Sequence, residues 1–158
     1  MNQSYYNNDF VITSAIHMLM KFDLVNDAER LFRQVKIKSA LTYHAMINGY
    51  SQLDELDKCF QLFDQMKSDR IVPNEVVFLS MIGVCAKIAI RSVSQSIVDQ
   101  IPADLKASQN IQNALISMWG KNSSIGKSKE IFESLSDPDV VAYNSMSDKC
   151  IWAERDGC

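Results

Sequence analysis

The chain has 158 residues, 47% of them hydrophobic and 22% charged, with a net charge of −3 and two histidines. That apolar content is ample for a packed core, yet no stretch of about 18 uncharged apolar residues exists, so no membrane span is expected. The charge is spread so evenly that no basic stripe marks a non-specific nucleic-acid footprint. Four cysteines at 59, 85, 150 and 158 show no two-residue spacing, which gives a zinc site little support and suits a reduced, intracellular protein. The opening MNQSYYNNDF lacks arginine and an apolar run, so neither a signal peptide nor an organellar presequence is legible, and a missing native front end is the expectation.

Residues 9–46 return at 109–146 without a gap: Ile16, Met18, Lys21, Phe32, Tyr43 and Met46 meet Ile116, Met118, Lys121, Phe132, Tyr143 and Met146. A finer period lies inside that hundred. Ala28, Leu31 and Phe32 recur as Cys59, Leu62 and Phe63, as Ser94, Ile97 and Val98, and as Ser128, Ile131 and Phe132, at spacings of 31, 35 and 34 residues. Such a period marks stacked supersecondary units, none of which can bury its apolar face alone.

In chain order, a short N-terminal extension (1–8) precedes units 9–39, 40–74, 75–108 and 109–139, and an incomplete unit fills 140–158. Each unit reads as two amphipathic helices joined by a short polar turn. In the second, Tyr43, Ile47 and Tyr50 recur at helical spacing, Leu53 to Glu55 break the pattern, and Leu56, Cys59, Phe60, Phe63 and Met66 resume it. In the fourth, a turn at Asn122 to Gly126 divides Ile116 and Trp119 from Ile131, Phe132 and Leu135. Pro73, Pro102 and Pro138 punctuate the array, since proline cannot continue a helix. Asn74 and Asp139, and likewise Ser39 and Ser108, are placed to cap the helix that follows. Cys59 shares the small position of Ala28 and Ser128 and reads as a packing residue. The expectation is an all-α α-solenoid of stacked antiparallel helical hairpins: eight helices in four hairpins, a ninth starting near Val141, and Phe32, Phe63 and Phe132 equivalently buried. Beyond Met146, the partnerless last helix with Cys150, Ile151 and Trp152 predicts self-association or a frayed tail.

These residues resemble the pentatricopeptide repeat family, in the subclass whose units alternate among three lengths. ALTYHAMINGYSQLDELDKCFQLFDQMKSDRIVPN at 40–74 looks like the standard 35-residue form, 9–39 and 109–139 like the 31-residue short form, and 75–108 like the long form. Tetratricopeptide repeats share the hairpin but fit Thr42, Tyr43 and the Pro73–Asn74 boundary poorly.

The resemblance implies single-stranded RNA binding, one unit per nucleotide, in the class associated with RNA editing in organelles such as the mitochondrion. By that resemblance a base edge is met by a unit's fifth and last residues. Here these are Thr13 with Ser39, His44 with Asn74, Leu79 with Ser108, and Asn113 with Asp139, followed by Asn144 alone. Leu79 can neither donate nor accept, so its unit should read poorly. The resemblance also places each base between apolar residues at second positions: Phe10, Leu41, Val76 and Val141, with Asn110 interrupting the series. Capping alone would equally explain Ser39, Asn74, Ser108 and Asp139, and ordinary packing the apolar set. No catalytic set is expected, because no HxE precedes a CxxC as in zinc deaminases, and no cofactor is implied. A separate editing enzyme or another protein partner would then supply any chemistry. The rival from a different class is a protein-interaction scaffold without RNA affinity, favoured by the acidic charge and Leu79. A third reading, a decayed gene product, rests on the abrupt departure after Met146.

Overall fold

The computed structural model describes residues 3–155, with side chains described for 9–147. It divides into two compact units, residues 1–81 and 82–158. The described residues hold ten helices and no strand, an all-α protein of the helical-hairpin solenoid class.

The first unit contains α1 (Gln3–Lys21), α2 (Val25–Gln34), α3 (Ala40–Gln52), α4 (Leu56–Ser68) and the start of α5 (Glu75–Ile88). α1 packs on α2 and on α3, and α3 packs on α4. The pivot is small: Gly49 of α3 lies so close to α1 that an added Cβ would stand 2.6–2.7 Å from Cβ, Cγ and Cε of Met20. Ala28 and Cys59, on α2 and α4, are fully buried. The Cys59 thiol donates to the Ile47 carbonyl at 3.4 Å, so helices of one hairpin meet where a side chain is short. Aromatic rings lock successive helices edge to face: Phe32 with Tyr43 at 5.1 Å and 84°, Phe63 with Phe78 at 5.9 Å and 68°. Each such pair contributes about 0.5–1.5 kcal/mol beyond the area it buries.

The second unit contains the rest of α5, then α6 (Arg91–Gln100), α7 (Ala103–Lys106), α8 (Gln109–Lys121), α9 (Ile125–Ser134) and α10 (Val140–Arg155). α8 packs on α9 and α10, and α7 packs on α8. The same devices recur. The Ser128 hydroxyl donates to the Ile116 carbonyl at 2.9 Å, matching Cys59 with Ile47, and Phe132 meets Tyr143 at 5.3 Å and 76°. A buried amide joins α6 to the end of α8, with Asn122 Nδ2 donating to Ser94 Oγ at 2.6 Å.

The tight turns obey the sequence period. Left-handed φ values occur at Asp23 (60°), Asp54 (62°), Ala89 (53°) and Ser123 (54°), at the same spacings of 31, 35 and 34 residues, and also at Arg70 (59°) after α4, outside that series. After α1, α3 and α8 the left-handed residue sits inside a double hydrogen-bond closure, as in Ser123 N–H to Gly120 O at 3.2 Å and Ser124 N–H to Trp119 O at 2.8 Å, which satisfies the last helical carbonyls.

Four expectations need adjustment. α1 begins at Gln3, inside the segment assigned to an extension. Pro102 does not simply end a helix: it leads into α7, an added four-residue turn that makes the described helices ten rather than nine. Gly126 belongs to α9, so the fourth turn is confined to 122–124. Phe32 and Phe63 are buried, whereas Phe132 is only partly buried against Ile116, Ala142 and Met146. Helix α10 continues to Arg155, but the side chains of Cys150, Ile151, Trp152 and Cys158 lie outside the described residues, and with them the expectations for the tail.

Candidate functional site

The residues singled out from sequence lie at or just before the starts of α3, α5, α8 and α10, and, for Phe10 and Thr13, in the middle of α1. Phe10, Leu41, Val76 and Val141 are 36–72% exposed, although apolar. Asn110, in the same register, is exposed too. Apolar side chains recur at this position in the sequence period without being buried.

The polar residues of the same helices differ in what occupies them. In the second unit of structure, Asn113 and Asp139 come together: Asn113 Nδ2 donates to both carboxylate oxygens of Asp139, at 3.1 and 2.9 Å. Asp139 Oδ1 also accepts from the Ala142 N–H at 2.8 Å, capping α10. Because the carboxylate demands the amide nitrogen, Asn113 Oδ1 is left facing away, buried and without a hydrogen-bond partner. A buried acceptor of this kind costs about 1–3 kcal/mol until a donor reaches it. Asn144 is exposed.

In the first unit the geometry is different. Ser39 accepts from the Thr42 N–H at 3.2 Å in a capping box. The hydroxyls of Ser39 and Thr42 both donate to Asp9 Oδ1, at 2.9 and 3.0 Å. Ser39 is thus engaged by a cap and a carboxylate, and Thr13, its expected partner, has a buried hydroxyl oxygen with no hydrogen-bond partner. Asn74 Oδ1 accepts from the Val77 N–H at 3.2 Å, the cap of α5. His44 turns to Ser80, Nδ1 to Oγ 3.0 Å, and packs edge to face on His17 at 5.7 Å. Burial, then the neighbouring His17, holds the His44 imidazole below its ordinary pKa. Leu79 is half-buried, and the Ser108 side chain makes no capping bond to α8.

Sequence reasoning missed Asp9, which organises Ser39 and Thr42, and Ser80 and His17, which hold His44. It also missed Asp69 and Glu29, which accept from the phenols of Tyr43 and Tyr50. No local motif announces them, since each acts across 21 to 36 residues. Among the described residues no cluster of three or more histidine, cysteine or acidic side chains could hold a metal, and no helix is long and apolar enough to cross a membrane.

Hairpins with short-residue pivots, edge-to-face aromatic links and a periodic left-handed turn define a helical repeat protein. Residues 38–87 match the family model of the pentatricopeptide repeat, and the chain belongs to that family. It is similar to a mitochondrial pentatricopeptide repeat-containing protein of Arabidopsis thaliana, 28% identical over 147 residues that cover 90% of this chain and 24% of that protein. A second Arabidopsis pentatricopeptide repeat-containing protein is 31% identical over 138 residues, 87% of this chain and 16% of the relative. A chloroplastic one is 25% identical over 146 residues, 89% and 18%. The chain spans about a quarter or less of the length of these relatives.

Proposed function

We propose that the chain binds single-stranded RNA through the first helix of each unit, one nucleotide per unit, within the organellar RNA editing and processing class. Units 9–39, 40–74, 75–108 and 109–139 then alternate among the short, standard and long forms, with 140–158 beginning another. The observation that carries this reading is the exposure of apolar Phe10, Leu41, Val76 and Val141 at one repeating position, on helices whose polar residues include two buried, unpartnered oxygens, those of Thr13 and Asn113. Apolar faces accept stacked bases, at about 1–3 kcal/mol per base, and an unpartnered acceptor accepts a base N–H.

The Asn113–Asp139 pair supports the most specific assignment. With its amide nitrogen held by the carboxylate, Asn113 offers Oδ1, an acceptor only. Uracil and guanine present a ring N–H to such an acceptor, while cytosine and adenine present a ring nitrogen lone pair. Of the first two, the resemblance favours uracil. Because Oδ1 is closed to solvent in the free protein, neighbouring groups must give way as the base enters. Ser39 and Asn74 serve first as caps, so their units support no assigned base. His44, held by Ser80 and His17, offers a ring that can stack or accept. Leu79 leaves the third unit a poor reader.

The test grafts residues 109–139 into a longer, well-behaved array and compares four RNAs that differ at one nucleotide. Uridine should bind best, and Asn113→Thr should move preference toward a purine. Equal binding of all four would mean that Asn113 and Asp139 only cap and pack. Protein scaffolding is favoured instead by the net charge of −3 and by Leu79. Salt-insensitive capture of a protein, with no salt-dependent RNA binding, would select that reading.

A further inference from the structure

Residues 9 and 109 hold the same place in the sequence period, one hundred positions apart, yet they bond differently. Gln109 Nε2 donates to the Asp137 carbonyl at 3.3 Å, and the last residue of that unit, Asp139, takes the Asn113 amide with both carboxylate oxygens. In unit 9–39 the first residue claims the last. Ser39 Oγ donates to Asp9 Oδ1 at 2.9 Å, and Thr42 Oγ1 donates to the same oxygen at 3.0 Å. Thr42 is the third residue of the next unit, and its counterpart after Asp139 is Ala142, which has no hydroxyl. The fifth residues differ in turn: Asn113 has its amide held, whereas the buried Thr13 hydroxyl oxygen has no hydrogen-bond partner.

Ser39 has little left to offer a base, because a hydroxyl carries one proton and two lone pairs. The proton goes to Asp9, and one lone pair takes the Thr42 N–H at 3.2 Å. A hydrogen bond to a carboxylate is about twice as strong as one between neutral groups, so a base ring nitrogen or carbonyl does not draw that proton away. Thr13 remains as the polar contact of its unit. Its hydroxyl rotates to donate or to accept, so it meets the ring N–H of uracil and the ring nitrogen of cytosine or adenine alike.

Resting on the RNA reading given above, we propose that Asp9 is the positioning residue of unit 9–39: it withholds Ser39 from the bound nucleotide, so that Thr13 alone meets the base and the unit tolerates uridine, cytidine and adenosine. The selectivity of a unit is then set by its first residue as well as by its fifth and last. Within these units only Asp9 joins a carboxylate at the first position to a hydroxyl at the third position of the next unit. The other first positions hold Ala40, Glu75 and Gln109, and the third residues that follow them are Val77, Ile111 and Ala142.

The test is binding of the full chain to short oligouridine, oligocytidine and oligoadenosine, read by fluorescence anisotropy. Circular dichroism and thermal midpoint check that each variant is folded at the assay temperature. Ser39→Ala is measured in two backgrounds, the parent and a chain carrying Asp9→Ala with Thr42→Ala, which removes both side chains bonded to the Ser39 hydroxyl. In the parent, Ser39→Ala should leave all three affinities unchanged. In the second background it should weaken binding about two- to tenfold, the worth of one hydrogen bond. A merely structural Asp9 does not produce that contrast, since the lost cap is common to both backgrounds. Thr13→Val, which keeps the shape and removes the hydroxyl, should weaken all three oligonucleotides by the same factor in the parent. Ser39→Ala that costs affinity equally in both backgrounds, or in neither, would overturn the role of Asp9, and so would a Thr13→Val loss confined to one oligonucleotide. A parent that binds none of the three overturns the RNA reading itself. Failure of the Ser39 contrast in a parent that binds, with Asn113→Thr still lowering its preference for oligouridine, strikes this inference alone.

Discussion

Replacing Gly49 by alanine sets two effects of opposite sign against each other in one helix. Alanine is about 1 kcal/mol better than glycine in a helix interior. The added methyl, however, would stand 2.6 Å from Cε and Cγ of Met20 and 2.7 Å from its Cβ. The Cε contact can relax by a rotamer change, but Cβ moves only with its backbone, so α1 must withdraw from α3. Overpacking of this kind costs about 1–3 kcal/mol, and the backbone shift places it near the upper end, leaving a net loss of about 1–2 kcal/mol. Gly83 is the control: it is also helical, and nothing lies within 4 Å of the point where its added methyl would stand, so Gly83→Ala should gain about 0.5–1 kcal/mol. Urea unfolding followed by far-ultraviolet circular dichroism measures both. Met20→Ala adds a further check, because it removes two of the clashing atoms and should cost less in the Gly49→Ala background than alone. Equal stabilisation by alanine at 49 and at 83 would refute the close approach of α1 and α3.

Phe63→Ala should cost about 3–5 kcal/mol by chemical denaturation, and Phe132→Ala distinctly less, because Phe132 is only partly buried. Ala89→Gly should stabilise by about 1 kcal/mol in the same assay, since alanine there holds a φ of 53° that costs a non-glycine residue about 1–2 kcal/mol. Cys85, whose thiol burial pushes up to about 11 despite a hydrogen bond to Ser94, should resist alkylation at pH 8 while folded and react once unfolded, read by peptide mass spectrometry. Denaturation midpoints against pH should fall at both ends. His44 is depressed on folding, so its contribution is present above the ordinary 6.5 and lost as pH falls below it. Cys85 is raised, so its contribution is present below the ordinary 9.0 and lost as pH climbs toward 11. His44→Gln should remove its share of the acid loss and leave the alkaline loss intact.

The period was legible because burial imposes it: Ala28, Cys59, Ser94 and Ser128 are short wherever the helices of a hairpin touch, and aromatic or branched residues follow at fixed offsets. The turns were less legible. Their left-handed residues are Asp23, Asp54, Ala89 and Ser123, so no glycine marks them, and Gly120 and Gly126, which flank the fourth turn, are helical instead. α7 escaped notice because four residues carry no periodicity. The close approach at Gly49 depends on Met20 in another helix, and nothing in the local sequence of either residue reveals the other. Phe132 carries the same pattern as Phe32 and Phe63, yet its burial depends on how much lies over it.

Capping and base contact presented themselves in the sequence as competing roles for Ser39, Asn74 and Asp139, and the geometry separates these residues. Ser39 donates to Asp9 while accepting from the Thr42 amide, which leaves its hydroxyl little capacity for a base. Asn74 gives its carbonyl oxygen to α5 and keeps its amide nitrogen for another partner. Asp139 has two oxygens and uses both: Oδ1 caps α10 and shares the Asn113 amide with Oδ2. The same carboxylate that starts one helix therefore fixes which atom of Asn113 is left over on another, 26 residues away. A cap residue that orients a neighbour in this way need not touch a ligand to decide what the neighbour can accept.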